Sequence, residues 1–184
     1  MKSFLTLFLL LTTLAVWGQL PTSPELTTFL DSLDVRLYQP FDVAYKAQAP
    51  TDNDYLEDHA RFYSREEKLE IRLHFRAEDA RDPYYGMPHL RAGHLVMNLG
   101  SNDEDAVTSV HSFGEEEMMV FNADWARLFT FRPKRSYSER SQAQLIALYR
   151  EGRGMVYLVL LFDRPPGNLE DRQLLLGFRA EDEG

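Results

Sequence analysis

Hydrophobic and polar residues alternate most regularly between residues 68 and 77. Lys68, Glu70, Arg72, His74 and Arg76 occupy every second position, and apolar residues lie between them. A period of two predicts a β-strand, because successive side chains of a strand point to opposite faces of the sheet. We expect the apolar row to face the core and the polar row to face water.

Further stretches have the length and pattern of short strands. Residues 155–162 are apolar throughout, which is typical of a buried strand. Other strands are predicted at residues 89–99, 108–113, 118–121, 127–132 and 174–178. Residues 142–149 fit either a strand or a helix capped by Ser138. Gly152 and Gly154 favour a hairpin that joins this segment to residues 155–162.

Helical spacing is clear only near the start of the chain. Ser23 can cap a helix whose first position is Pro24, and apolar residues follow at positions 26, 29, 30 and 33. Residues 47–58 indicate a loop, with a short helix at 54–65 as an alternative. The pattern therefore predicts a mostly β (α+β) fold. Its antiparallel sheet, sandwich or barrel-like, would have six to eight strands and one or two helices.

The first 19 residues have the features of a signal peptide. Lys2 precedes an apolar run over residues 4–16, and Gly18 precedes a plausible cleavage point. The run is shorter than the roughly 20 residues that cross a bilayer, although an uncleaved anchor is the alternative. We expect an exported protein, periplasmic or secreted, in which residues 20–184 form a single strand-rich domain. No transmembrane span is expected in the mature chain.

The amino-acid composition excludes cysteine chemistry and argues against some kinds of binding partner. The chain contains no cysteine, so neither disulfides nor thiolate chemistry is available. The formal net charge of −9 disfavours nucleic acid as a partner. A hydrophobic content of 44% argues against disorder.

No compact catalytic, nucleotide-binding or zinc-binding motif occurs in the sequence. On a strand, His89 and His94 would point to opposite faces and could not share a metal ion, whereas His94 and His111 could meet across neighbouring strands. The acidic stretches at 103–105 and 115–117 are typical of solvated loops. We therefore expect no metal site and no cofactor.

One basic segment stands out in this acidic chain. Arg132, Lys134, Arg135 and Arg140 lie within nine residues, beside serine and tyrosine hydroxyls. Arginine-rich clusters bind carboxylate, phosphate or sulfate groups, although the same cations can pair with acidic loops of their own chain. Trp125 is a further candidate for ligand binding, since it follows an apolar stretch at a predicted rim.

Three functions fit these observations. The favoured one is a non-catalytic extracytoplasmic binding or envelope-associated module. A small barrel-like carrier of an apolar ligand is an alternative, and it predicts a cavity lined by Phe and Tyr. A hydrolase with a dispersed Asp/Glu/His site is the other alternative, and it predicts a cleft where a histidine and a carboxylate converge. The sequence identifies neither the ligand nor the partner.

Overall fold

Strands dominate the structure, a computed structural model that describes residues 20–51 and 53–180. The strands in these residues are β1 (Val35–Leu37), β2 (Lys46–Gln48), β3 (Ala60–Ser64), β4 (Leu69–Ala77), β5 (Ser109–Ser112), β6 (Trp125–Phe131), β7 (Gln142–Arg150), β8 (Gly154–Phe162) and β9 (Leu176–Phe178). The helices are α1 (Pro24–Ser32), α2 (Pro88–Leu99), α3 (Glu115–Phe121) and α4 (Leu169–Gln173).

Seven strands form one sheet in the order β2-β3-β4-β8-β7-β6-β5, and β1 pairs with β9 separately. Every pairing is antiparallel, so the predicted antiparallel, mostly β fold is confirmed. The predicted numbers of elements are too low, because the described residues form nine strands and four helices where six to eight strands and one or two helices were expected. The barrel-like variant is wrong for the described residues, because β2 and β5 remain the two edges of an open sheet.

Apolar side chains cover both faces of this sheet. On one face, which we call the α1 face, the core includes residues of α1, α3 and the β1–β9 pair. On the other, the α2 face, Leu95, Val96 and Leu99 of α2 pack against side chains of β6, β7 and β8. All nine residues of β8 are buried, as expected for a strand with helices on both sides.

The hairpin predicted around the two glycines is confirmed. Strand β7 pairs with β8 from Gln142 opposite Phe162 to Arg150 opposite Gly154. Residues 142–149 therefore form a strand and not a helix. The N-terminal helix and the last strand also lie where the pattern predicts them.

Two predicted strands are helices. Residues 89–99 lie in α2, where buried Ala92, Leu95, Val96 and Leu99 follow the helical spacing of three and four. The alternation that suggested a strand relied on Met97, whose side chain is exposed. Residues 118–121 lie in α3, where the Glu117 carboxylate accepts a hydrogen bond from the Gly114 N–H, 2.8 Å away, and stabilises the helix start.

The polar row of β4 is not exposed to water, which corrects the sequence-based expectation. Glu70, Arg72 and His74 are buried on the α2 face, and only the last two residues of the strand are exposed. Thr51, Glu57 and Tyr137, from the loops before β3 and after β6, contact this part of the sheet.

The predicted signal peptide, residues 1–19, lies outside the described residues. Among the residues that the structure describes, no helix combines the length and the apolar character needed to cross a membrane.

Candidate functional site: the buried polar row of strand β4

Glu70 and Arg72 form the first part of the polar row. Arg61 of β3 lies directly opposite Arg72 of β4, and Glu70 bridges the two like charges. Glu70 Oε1 accepts from Arg61 Nε at 2.8 Å and from Arg72 Nε at 2.7 Å. Burial raises the pKa of Glu70, but the two arginines outweigh that effect and hold it below its ordinary value. Glu70 is therefore an ionised carboxylate whose two oxygens both accept hydrogen bonds from arginines.

Arg72 connects this end of the row to the loops above the sheet. Its Nη1 donates to Thr51 Oγ1 at 3.2 Å and to the Tyr137 carbonyl at 3.3 Å. Its guanidinium also lies 4.6 Å from the centre of the Tyr137 ring. Because Arg72 is almost wholly buried, these contacts fix its side chain in one position.

His74 and Asp58 form the second part of the row. His74 Nδ1 lies 2.5 Å from the Glu57 carbonyl oxygen, which can only accept, so Nδ1 carries the proton. Asp58 Oδ2 accepts from the Thr51 N–H at 2.9 Å and from the Thr51 hydroxyl. The remaining atoms, His74 Nε2 and Asp58 Oδ1, lie 3.5 Å apart.

These two remaining atoms are both acceptors. Burial lowers the pKa of His74 to about 4, so its ring is neutral at pH 7 and Nε2 carries a lone pair. Neither Nε2 nor Asp58 Oδ1 has a hydrogen-bond partner among the described residues, and both are inaccessible to water. An unsatisfied buried polar group costs about 1–3 kcal/mol, so this pair is a destabilising feature of the core.

His74 does not have the geometry of a catalytic base. A Ser–His–Asp triad uses one ring nitrogen to bind the carboxylate and the other to accept the proton of the nucleophile. In this structure the two ring nitrogens face the Glu57 carbonyl and Asp58. A histidine and a carboxylate do converge, but neither ring nitrogen is directed at a nucleophile.

A cleft of about 600 Å³ lies next to the His74–Asp58 pair, and we call it the α2 cleft. It is bounded by β4, α2 and the loop residues 50–51 and 53–59. Its polar lining residues include Asp54, Glu57, Asp58, His59, His74, Arg76, Tyr84, Arg91, His94 and Asn98. A concave site in which polar groups converge around a histidine of perturbed pKa is a candidate small-molecule site.

Two cations of the α2 cleft share a single carboxylate. Arg76 Nη2 lies 2.7 Å from Asp82 Oδ2, and Arg91 pairs with the other oxygen of Asp82. Burial and the neighbouring charge of Arg76 lower the pKa of Arg91. Arg91 also lies over the Tyr84 ring, whose centre is 5.7 Å from that of His94. Two guanidinium groups and one carboxylate leave this side of the cleft with excess positive charge.

The basic segment predicted to bind anions lies elsewhere on the surface. Arg132, Lys134, Arg135 and Arg140 line one cleft of about 600 Å³ together with Ser136 and Ser138. Three of these cations already have partners: Arg132 binds Asp105 at 3.0 Å, Lys134 donates to the Asn98 carbonyl at 2.8 Å, and Arg140 binds Asp163 at 2.8 Å. Arg135 makes no ion pair or hydrogen bond within the described part of the chain.

The structure does not bring Trp125 to the basic segment. Trp125 begins β6 and Arg132 follows its end, so they are separated by roughly 20 Å of extended strand. The guanidinium of Arg127 lies 5.7 Å from the centre of the Trp125 ring.

His94 and His111 do not meet. His94 belongs to α2, whereas His111 lies opposite Leu128, a core residue of the α1 face. Within residues 20–51 and 53–180, no group of three or more His, Asp or Glu side chains could hold a metal ion.

Comparison with known proteins adds no relative: no family model, no curated protein and no solved structure matches the chain. Sequence reasoning missed Asp58, Arg91 and the burial of His74. One signal was present: a neighbouring strand that is apolar on both faces, residues 155–162, requires cover on both sides of the sheet.

Replacing Asp58 by asparagine tests the clash between the two acceptors. The amide oxygen can keep the hydrogen bonds from Thr51, while the amide N–H donates to His74 Nε2. We expect the free energy of unfolding at pH 7 to rise by about 1 kcal/mol in urea denaturation. Asp58→Ala is the control, and we expect it to lower that free energy, because the Thr51 hydrogen bonds are lost. Equal destabilisation by both substitutions would contradict the assigned geometry.

The pH dependence of stability tests the burial of His74. The pKa of His74 is about 4 in the folded state and 6.5 in the unfolded state, so the unfolded chain binds more protons between these values. The contribution of neutral His74 to the free energy of unfolding is therefore fully present above pH 6.5 and decreases as the pH falls toward 4. Two and a half pKa units correspond to about 3 kcal/mol.

The measurement compares urea denaturation at pH 7 and pH 4 for three proteins. Between pH 7 and pH 4, we expect the free energy of unfolding of His74→Gln to fall by about 3 kcal/mol less than that of the original protein. His89→Gln, an exposed position on α2, is the control and should retain all of it. The same pH dependence in His74→Gln as in the original protein would show that His74 is not buried in its neutral form.

Proposed function

We propose that the protein is an exported, non-catalytic binding module, and that a small polar ligand with an anionic group occupies the α2 cleft. The observation that carries this proposal is the sharing of Asp82 by Arg76 and Arg91. The proposal of export rests on the signal-peptide features of residues 1–19.

The arginines favour an anionic group on the ligand. A carboxylate or phosphate that approaches Arg76 and Arg91 gains charge-assisted hydrogen bonds and balances the excess charge beside Asp82. Arg91 is held by its contacts with Asp82 and the Tyr84 ring, so little side-chain entropy is lost on binding.

The acidic residues of the lining favour hydrogen-bond donors elsewhere on the ligand. Asp54 and Glu57 are exposed, and Asp58 lies buried behind them. Ammonium or hydroxyl groups satisfy such carboxylates. Amino acids and hydroxy acids combine these donors with a carboxylate, and we propose them as the ligand class.

The two alternative functions receive less support. An apolar ligand would face mostly charged and polar side chains in the α2 cleft, and the open sheet encloses no barrel interior among the described residues. Hydrolysis by a His–Asp pair would need a ring nitrogen directed at a nucleophile, and both nitrogens of His74 face other groups.

A binding screen tests the proposal. We expect at least one member of a panel of glutamate, glycine, lactate and gluconate to raise the melting temperature of residues 20–184, and calorimetry then gives its affinity. Arg91→Gln should weaken that affinity tenfold or more, since a hydrogen bond to a charged group contributes about 1.5–3 kcal/mol.

Two exposed histidines of α2 provide a matched pair. His94 lines the α2 cleft, whereas His89 does not. We expect His94→Ala to weaken binding roughly fivefold and His89→Ala to leave it unchanged. If no panel member binds, or if Arg91→Gln and His94→Ala bind as tightly as the original protein, this cleft is not the ligand site.

A further inference from the structure

We infer that a second cleft on the α2 face, formed around four arginines, binds a phosphate- or sulfate-like oxyanion. This four-arginine cleft has a volume of about 510 Å³ and is lined by Arg61, Glu70, Arg72, Arg135, Tyr137, Ser138, Glu139, Arg140 and Asp163. It shares no lining residue with the α2 cleft, so it constitutes a separate site.

The charges of this cleft favour an anion. Its lining contains four arginines and three carboxylates, which is a local excess of one positive charge in a protein whose net charge is −9. Glu70 already accepts hydrogen bonds from Arg61 and Arg72. Asp163 already accepts hydrogen bonds from Arg140 and from the Ser141 N–H. Arg135 is exposed and has no ion-pair or hydrogen-bond partner among the described residues. Arg61 and Arg72 share the single negative charge of Glu70, so the excess positive charge lies on these two arginines, while the exposed Arg135 and Glu139 offset each other.

The hydroxyl of Tyr137 is the second observation that points to a ligand. Tyr137 is almost wholly buried, and its hydroxyl has no hydrogen-bond partner within the described residues. Burial raises the pKa of Tyr137, so the hydroxyl stays protonated and remains a donor. The hydroxyl has less than 1 Å² of exposed surface, so an acceptor oxygen in the cleft reaches it only if the Tyr137 side chain shifts, and that contact would remove the cost of the unsatisfied group.

The rest of the cleft is fixed before any ligand arrives. Glu70 holds Arg61 and Arg72, and Arg72 also lies against the Tyr137 ring. Arg140 is held by Asp163 and lies 5.5 Å from the centre of the Tyr63 ring. Preorganised guanidinium groups beside an exposed cation such as Arg135 suit a tetrahedral oxyanion, which accepts hydrogen bonds in several directions.

Calorimetric titration with inorganic phosphate, at an ionic strength kept constant with chloride, tests this inference. We expect saturable binding to residues 20–184 and a loss of about tenfold in affinity for Arg135→Ala. Arg81→Ala removes the same charge from an exposed ion pair outside the cleft and should bind as the original protein does. An equal loss in both variants would indicate a general charge effect and overturn the site.

Tyr137→Phe separates ligand binding from a structural role. Without phosphate, we expect this variant to be more stable than the original protein by about 1 kcal/mol, because a buried unsatisfied hydroxyl is removed. With phosphate, its affinity should fall severalfold, because the donor to the anion is lost. Unchanged affinity in Tyr137→Phe would overturn the role of the hydroxyl.

Two further arms identify the site and the anion. Arg91→Gln changes only the α2 cleft, and we expect it to leave phosphate affinity unchanged. If Arg91→Gln and not Arg135→Ala abolishes phosphate binding, the anion occupies the α2 cleft and the second site is overturned. Parallel titrations with sulfate and citrate show whether phosphate, sulfate or carboxylate groups are preferred.

Discussion

Replacing Arg72 by alanine is expected to lower the free energy of unfolding by about 3 kcal/mol or more. Arg72 is buried and hydrogen-bonded to Glu70, Thr51 and the Tyr137 carbonyl, so its removal leaves a cavity and several unsatisfied acceptors. Removing one partner of a buried ion pair usually costs about 3–5 kcal/mol. Because Arg61 still neutralises Glu70, we place the loss at the lower end.

Urea denaturation at pH 7 measures this loss, with Arg81→Ala as the matched control. Arg81 pairs with Asp79 on the surface, and exposed ion pairs contribute at most about 1 kcal/mol. We therefore expect the two arginine-to-alanine changes to differ by at least about 2 kcal/mol. A similar, small effect of both would mean that the polar row of β4 is exposed to water, as the alternation in the sequence suggests.

Replacing Gly154 by alanine is expected to cost about 3 kcal/mol or more. Gly154 has a φ of 117°, a conformation that side chains with a Cβ rarely adopt. A Cβ at this position would lie 2.2 Å from the Arg76 carbonyl oxygen and 2.6 Å from the Glu78 nitrogen. Both atoms belong to the backbone next to β8, so relief requires β4 and β8 to move apart.

Gly152 provides the control for the substitution at Gly154. It also has a positive φ, 74°, but nothing lies within 4 Å of the position of its Cβ. Gly152→Ala should therefore cost only the backbone strain, about 1 kcal/mol. If thermal denaturation finds the two alanine variants equally stable, the close contact between Gly154 and the end of β4 is wrong.

Local patterns in the sequence predicted much of the sheet. The period of two at residues 68–77, the apolar run at 155–162 and the glycines between β7 and β8 each depend on neighbours close in the chain. The two helices mistaken for strands, α2 and α3, carry apolar residues that satisfy both periods over a short length. Leu95 and Leu99 pack against the sheet, and this packing favours the helix over the strand. Such contacts between distant residues cannot be read from a short stretch of sequence.

The candidate sites depend on contacts distant in sequence, which explains why they were only partly foreseen. The basic segment is visible as a run of cations, but Arg61 and Arg72 join Arg135 only through the pairing of β3 with β4 and the packing of the loop that carries Tyr137. Likewise, Asp58 meets His74 because residues 57 and 58 lie above β4. The residue types indicated charge, and the fold determines which charges are buried.

The burial of the polar row of β4 underlies both proposed clefts, and the protonation of the His74 ring tests it most directly. Nitrogen-15 NMR of the imidazole during a pH titration reports both the tautomer and the pKa of the ring. We expect a neutral ring protonated on Nδ1 at pH 7 and a pKa of about 4. A ring that titrates near 6.5 and interconverts freely between tautomers would show that His74 faces water and would contradict the buried row.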